Sequence, residues 1–217
     1  MFLSVFIILS AVHLYYSYVD DVKGRAATKP YLLLSLAAFY FSASSVRNPY
    51  LLIALGLSWL GDVLLIKKGN RWFIAGGISF LIAHVFFIMV FAFSIDWHEV
   101  NFIILIPVAA IYLYIAFRII KSIISYMPKM MALSMYLYLF FNSAMNTAAL
   151  VRLMLNPGLS GVLPFAGAVL FFISDCVLFL VRYHPDKDLI YRRHFSIMLT
   201  YLAAELLITL GILAGEI

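Results

Sequence analysis

Eight apolar segments follow one another along this chain, each long enough to cross a membrane, with only short connections between them. A helix needs about 20 apolar residues to span the hydrocarbon core of a bilayer, and somewhat fewer when flanking side chains reach to the interface. Because 65% of the residues are hydrophobic and only 12% are charged, a soluble domain of this length could not bury the apolar surface. We therefore predict an all-α polytopic membrane bundle of eight transmembrane helices. The predicted spans are residues 2–19, 29–45, 49–66, 72–94, 101–120, 130–153, 163–181 and 195–214.

The prolines agree with these boundaries. Pro30, Pro49 and Pro164 stand at the first turns of the second, third and seventh predicted helices. A proline is tolerated there because the first amide groups of a helix have no partner within it. We therefore expect all three prolines to mark helix starts.

The basic residues predict how the bundle lies in the membrane. Of the 15 Lys and Arg residues, all but Arg47 and Arg152 fall in or beside the first, third, fifth and seventh connections. Cytoplasmic loops carry the excess of basic residues, so both termini are expected on the non-cytoplasmic side, in a bacterial inner (plasma) membrane. This orientation also explains the net charge of +5, and we expect no nucleic-acid partner.

The whole chain is predicted to be one integral membrane domain with a weak internal repeat. Asp62 followed by His84 in the third and fourth segments resembles Asp175 followed by Glu205 in the seventh and eighth. With four segments in each half, such a repeat would be parallel. The two halves would be residues 1–100 and 101–217.

Two aspartates interrupt apolar runs at comparable depths. The runs LSWLGDVLLI and LFFISDCVLFL carry Asp62 and Asp175, five and seven residues before Lys67 and Arg182. A rise of 1.5 Å per residue places both carboxyl groups about 7–11 Å beneath the basic rim, in one layer. An ionisable side chain at this depth is costly and usually marks a site. The sequence offers no Lys or Arg inside the membrane to pair with them, so we assign both to function.

Further polar residues lie on the faces that these aspartates share. Tyr201 precedes Glu205 by four residues, and Asn142 and Asn146 have the same spacing, so each pair lies on one face of its helix. The asparagines can equally serve as hydrogen bonds between helices. Lys29 can anchor a lipid phosphate or simply fix the topology. The candidate substrate-binding residues are Lys29, His84, Asn142, Asn146, Tyr201 and Glu205.

Two carboxyl groups in one apolar site predict acid–base chemistry. They cannot both ionise easily, so one tends to stay protonated while the other is charged. That combination supplies a general acid and a general base. A zinc site of the membrane-hydrolase kind would need three histidines, and only His13 and His84 fall within the spans. No G-x-S-x-G serine motif occurs either, and no metal is expected.

Short motifs in a fixed order resemble those of a known family. They are Lys29-Pro30, LGDVLL at 60–65, AHVFF at 83–87, ISD at 173–175 and TYLAAE at 200–205. In number of spans and order of motifs, essentially the whole chain resembles the YhhN family of lysoplasmalogenases.

The resemblance implies a metal-independent ether hydrolase without a cofactor. Such an enzyme cleaves the vinyl ether bond of a lysoplasmalogen to a fatty aldehyde and a glycerophospho-ethanolamine or -choline. Asp62 and Asp175 would be the acid and base, in an order that the sequence leaves open. The lysophospholipid would enter from the cytoplasmic leaflet, with its phosphate near Lys29 and its tail deeper. Head-group preference and oligomeric state stay open.

A proton-coupled membrane transporter is the alternative from a different class. Paired intramembrane acids, a repeat of four plus four segments and the flexible pair Gly76-Gly77 would also suit alternating access. A transporter moves its solute across a sealed membrane unchanged, whereas the enzyme consumes its substrate even in detergent micelles.

Overall fold

The computed structural model describes residues 1–93, 95–100 and 102–216, and within these ranges its regular structure is entirely helical. The predicted all-α class is therefore confirmed. The ends of the predicted spans 72–94 and 101–120 fall on residues 94 and 101, outside the described residues. The α-helices are α1 (Phe2–Tyr18), α2 (Val22–Ala43), α3 (Pro49–Ile66), α4 (Asn70–Ala92), α5 (Phe102–Ile123), α6 (Lys129–Leu155), α7 (Leu159–Tyr183) and α8 (Arg193–Ala214).

Five of these helices, α3, α4, α5, α7 and α8, have the length and hydropathy of a membrane-spanning helix. Helix α1 is apolar but slightly shorter. Their outward faces carry many exposed large hydrophobic side chains, which water would not stabilise but lipid does. The protein is therefore a helical membrane protein. Eight spans, and the orientation of the termini, stay predictions.

Helix α2 begins seven residues earlier than predicted, which places Pro30 inside the helix and not at its first turn. The Asp21 carboxylate caps the helix by accepting a hydrogen bond from the Lys23 amide at 2.9 Å. The first two turns are too polar to meet a hydropathy criterion, although four of their seven residues, two alanines, a lysine and an arginine, have high helix propensity. Pro164 is likewise interior, because α7 begins at Leu159. Both expectations of a proline at the helix start were wrong.

Pro49 does stand at the start of α3, as predicted. The Asn48 side chain accepts hydrogen bonds from the Tyr50 and Leu51 amides at 3.0 and 3.4 Å. This is an N-cap followed by proline at the first helical position.

Two helix pairs, α3 with α4 and α7 with α8, pack closely because glycines line their interfaces. A Cβ atom at Gly76 would lie 2.9 Å from the Leu65 side chain, and one at Gly167 would lie 2.8 Å from the Ala204 carbonyl oxygen. Gly76 is thus a packing residue. These close approaches fix the rotations of α3 and α7, which carry the two aspartates. The repeat over residues 1–100 and 101–217 stays a prediction.

Candidate active site

Asp62 is buried on α3 and is paired with a cation. Its Oδ1 lies 3.1 Å from Lys29 Nζ, and its Oδ2 accepts a hydrogen bond from the Tyr201 hydroxyl at 2.9 Å. The expectation that no Lys or Arg is available to pair this carboxylate was wrong. The earlier start of α2 makes Lys29 a residue of the helix body, from which its side chain reaches α3.

Asp175 is buried on α7, where the Tyr138 hydroxyl faces its carboxyl group and no Lys or Arg of the described residues forms a salt bridge with it. The Asn142 amide donates a hydrogen bond of 2.6 Å to Oδ2, and His84 Nε2 lies 3.5 Å from the same oxygen. Asn146 donates in turn to the Asn142 side-chain oxygen at 2.9 Å. The asparagine face predicted on α6 therefore supports Asp175, with Asn142 in contact and Asn146 behind it.

The orientation of His84 is set by its own helix and by aromatic rings. Its Nδ1 lies 2.7 Å from the Phe80 carbonyl oxygen, and since a carbonyl only accepts, Nδ1 carries the hydrogen. The Tyr138 and Phe171 rings lie 5.2 and 4.9 Å from the imidazole, edge to face. Nε2 therefore faces Asp175, and it has no hydrogen-bond partner of good geometry among the described residues.

Glu205 is fully buried on α8, beneath the aspartate layer. Neither of its carboxyl oxygens has a well-formed hydrogen bond within the described ranges, although the Ser58 and Tyr201 hydroxyls face it. An ionised carboxylate without a partner is expensive at this position. The arrangement therefore favours a neutral carboxylic acid here.

One cavity of about 390 Å³ brings the two aspartates together. Asp62 and Asp175 both line it, as do Lys29 and Tyr201 among the predicted binding residues. The other four candidates do not line it. His84 and Asn142 lie behind Asp175, Asn146 lies behind Asn142, and Glu205 lies beneath Tyr201.

A second cavity, of about 420 Å³, adjoins the first on the side of the basic loops. Arg193 and Lys29 are among the residues that line both cavities, and Arg25 and Lys68 line the second alone. The sequence analysis treated Arg193 and Lys68 only as markers of topology. Arg193, Ile197 and Tyr201 recur every fourth residue on α8, a spacing that could have pointed to Arg193.

An apolar groove of about 180 Å³ lies on the other side of the aspartate cavity, between α4, α6 and α7. Phe73 lines both the groove and the aspartate cavity. Tyr138, whose ring contacts His84, lines the groove as well. No sequence pattern marks this groove, since most of its lining residues are apolar residues of the kind found along any membrane helix.

The second cavity forms a basic mouth, lined by Arg25, Lys29, Lys68 and Arg193, above the buried acidic pair. This arrangement is typical of a membrane protein that binds an amphiphilic or anionic small molecule. Within the described part of the chain, no three His, Cys, Asp or Glu side chains come together as a metal site requires.

The family model described as the YhhN family matches residues 24–212, which is most of the chain. The protein therefore belongs to the YhhN family, and the resemblance seen in the sequence motifs is confirmed. No curated protein and no solved structure matches the chain.

Proposed function

We propose that the protein is a lysoplasmalogenase-type hydrolase, which cleaves the vinyl ether bond of a lysoplasmalogen. The products would be a fatty aldehyde and a glycerophospho-ethanolamine or -choline. The observation that carries the proposal is the cavity that Asp62 and Asp175 share. In it, Asp62 is paired with the Lys29 ammonium group, whereas Asp175 accepts a hydrogen bond from a neutral amide. Membership of the YhhN family supports the same reaction.

The partners suggest which aspartate has which role. An ammonium nitrogen 3.1 Å from Asp62 stabilises the ionised carboxylate, so Asp62 is the group that stabilises positive charge and activates water. Asp175 has a neutral amide, an imidazole nitrogen and the Tyr138 hydroxyl against it, and no Lys or Arg within the described ranges forms a salt bridge with it. Asp175 and His84 Nε2 can hold one proton between them, and Asp175 is therefore assigned as the acid.

The reaction then follows in three steps. Asp175 gives its proton to the β-carbon of the vinyl ether, the alkene carbon that is not bonded to oxygen. The double-bond electrons form the new C–H bond, which leaves an oxocarbenium ion. Water attacks the cationic carbon while Asp62 accepts a proton from it, and this gives a hemiacetal. The hemiacetal collapses to aldehyde and alcohol as Asp175 accepts its hydroxyl proton and Asp62 gives a proton to the glycerol oxygen, which restores both carboxyl groups, so the net change is the addition of one water. Glycosidases divide acid and base roles between two carboxyl groups in the same way.

The surroundings of the cavity suit a lipid with a single chain. Its hydrocarbon tail would lie in the apolar groove beyond Phe73, and its glycerol would lie in the aspartate cavity. The polar end would face the basic mouth, which we place at the cytoplasmic side. Lys29, for which the sequence left open a phosphate anchor or a marker of topology, is engaged with Asp62.

Two preparations of the purified protein test the proposal against the proton-coupled transporter. In detergent micelles the wild type should release aldehyde from a lysoplasmalogen, at a rate proportional to the amount of protein. A lysophospholipid with a saturated ether in place of the vinyl ether should stay intact. If the protein in proteoliposomes moves the lysoplasmalogen between leaflets and releases no aldehyde in either preparation, the hydrolase proposal is wrong.

A further inference from the structure

The basic cavity beside the aspartate cavity contains cations that the catalytic proposal does not use. Four of the residues that line it are Lys or Arg, and Asp20 is the carboxylate among them. The four cations are Arg25, Lys29, Lys68 and Arg193.

Two of the four already have carboxylate partners. Lys29 contacts Asp62 at 3.1 Å. Arg25 donates a hydrogen bond to Asp20 and thereby holds the pKa of that carboxyl below its ordinary value. Neither cation is left to neutralise a ligand by itself.

Arg193 and Lys68 have no salt bridge or hydrogen-bond partner for their side chains among residues 1–93, 95–100 and 102–216. Asp20, whose carboxyl group Arg193 influences electrostatically, is already paired with Arg25. Arg182, which also lines the aspartate cavity, is different, because it donates to Asn70 Oδ1 at 2.9 Å and lies over the Phe73 ring at 3.8 Å. The available positive charge is therefore concentrated at Arg193 and Lys68.

The position of Arg193 along α8 also matches the distance between the ether oxygen and the phosphate of a lysophospholipid. Tyr201, which contacts Asp62, lies eight residues further on, or about 12 Å along the helix axis. Because side chains on a helix lean toward its N-terminus, the Tyr201 side chain covers several ångströms of that separation. In a lysoplasmalogen, five bonds join the vinyl ether oxygen to phosphorus, which covers most of the remainder.

We infer that Arg193 and Lys68 form a phosphate-binding subsite, which holds the phosphodiester of a lysophospholipid while its first glycerol oxygen lies between Asp62 and Asp175. Arginine suits this role because its planar guanidinium can donate two parallel hydrogen bonds to phosphate oxygens. The inference rests on the proposed function for the identity of the lipid, but the subsite itself is defined by its charge.

The test measures binding, so that it does not depend on turnover. The probes are 1-O-hexadecyl-lysophosphatidylcholine, which has no vinyl ether, and 1-O-hexadecylglycerol, which has the same chain without phosphate. The variant is R193Q/K68Q. The matched control is R192Q/K67Q, which removes the same two charges from the neighbouring residues, neither of which lines the two cavities.

We expect R193Q/K68Q to bind the phosphate-bearing probe at least tenfold more weakly, the effect of losing one or two charge-assisted hydrogen bonds. Its affinity for hexadecylglycerol, and both affinities of the control variant, should match those of the wild type. Equal affinity of R193Q/K68Q and wild type for the phosphate-bearing probe would overturn the inference. An equal loss in R192Q/K67Q would also overturn it, because surface potential would then explain the effect.

Glycerophosphocholine, the head group without its chain, identifies the source of the phosphate. Competition by this compound that is lost in R193Q/K68Q supports a site for the phosphate group itself. Absence of competition, together with the tenfold loss for the lipid probe, supports a site that requires the lipid. A wild type that binds the lipid through Arg193 and Lys68 but releases no aldehyde would refute the proposed function and leave the subsite standing.

Discussion

The ammonium nitrogen of Lys29 lies 3.1 Å from a carboxylate oxygen of Asp62, and this ion pair joins α2 to α3 within the bundle. The Asp62 side chain is 3% exposed and the Lys29 side chain 16%. Solvent therefore screens the pair little, and each charge depends on the other.

Replacing Lys29 with methionine should destabilise the protein. The substitution keeps most of the side-chain volume and leaves the Asp62 carboxylate buried without its cation, for which a loss of about 3–5 kcal/mol is typical. We expect K29M to lower the midpoint of thermal unfolding in detergent, and K29M/D62N to recover part of the loss. The matched control is K23M, which removes an exposed lysine from the same helix. Equal midpoints for K29M and K23M would show that the pair does not stabilise the fold.

Asn142 should act on the rate of the reaction through Asp175. Its amide donates a hydrogen bond of 2.6 Å to the carboxyl group assigned as the acid, and leucine has the same branching at Cγ without a donor. We expect N142L to lower kcat by about ten- to a hundredfold, with little change in KM, because Asp175 becomes charged as it gives up its proton and then loses a hydrogen bond to a charged group. N146L, which removes the support of Asn142 without touching Asp175, should have a smaller effect. A kcat for N142L equal to that of the wild type would rule out this positioning role. A loss of kcat in N142L no greater than the loss in N146L would also rule it out.

Gly77 should limit the length of the hydrocarbon chain. It lines the apolar groove, and a Cβ atom placed on it would meet no other atom within 4 Å. Leucine at this position therefore fits the backbone and fills the groove. We expect G77L to lower kcat/KM for long-chain lysoplasmalogens by about tenfold relative to short-chain ones, since each buried methylene contributes about 0.8 kcal/mol.

The chain offers a matched control for that substitution. Gly56 is also a helical glycine with open space around it, and it lies on α3 away from the groove. G56L should leave the chain-length preference of the wild type unchanged. The same preference in G77L and wild type would mean that the chain lies elsewhere.

The sequence predicted those parts of the fold that depend on local pattern. Apolar runs of membrane length predicted the helices, and the helical rise predicted that Asp62 and Asp175 share a layer, which agrees with the cavity that they both line. The spacing of Asn142 and Asn146 likewise predicted that both would lie on one face, and they do contact each other.

The sequence could not predict features that depend on how side chains reach across helices. Hydropathy placed the start of α2 at Lys29, because the preceding turns are polar, and so did not show that Lys29 reaches Asp62. Nothing in the pattern showed that Asn142 and His84 would both contact Asp175, since that depends on the rotations of α4, α6 and α7. Arg193 looked like one loop cation among many, until the packing of α8 placed it between two cavities.

Aldehyde release from a lysoplasmalogen by D62N and by D175N, both folded and purified in detergent, tests the central claim most directly. Asparagine keeps the shape of each side chain and removes its acid–base function, which typically contributes 10²–10⁴-fold. Each variant should therefore lose at least about a hundredfold in kcat, while D188N, which removes an exposed carboxylate from the loop before α8, should match the wild type. Rates for D62N and D175N that are close to the wild-type rate would contradict the assignment of these two residues.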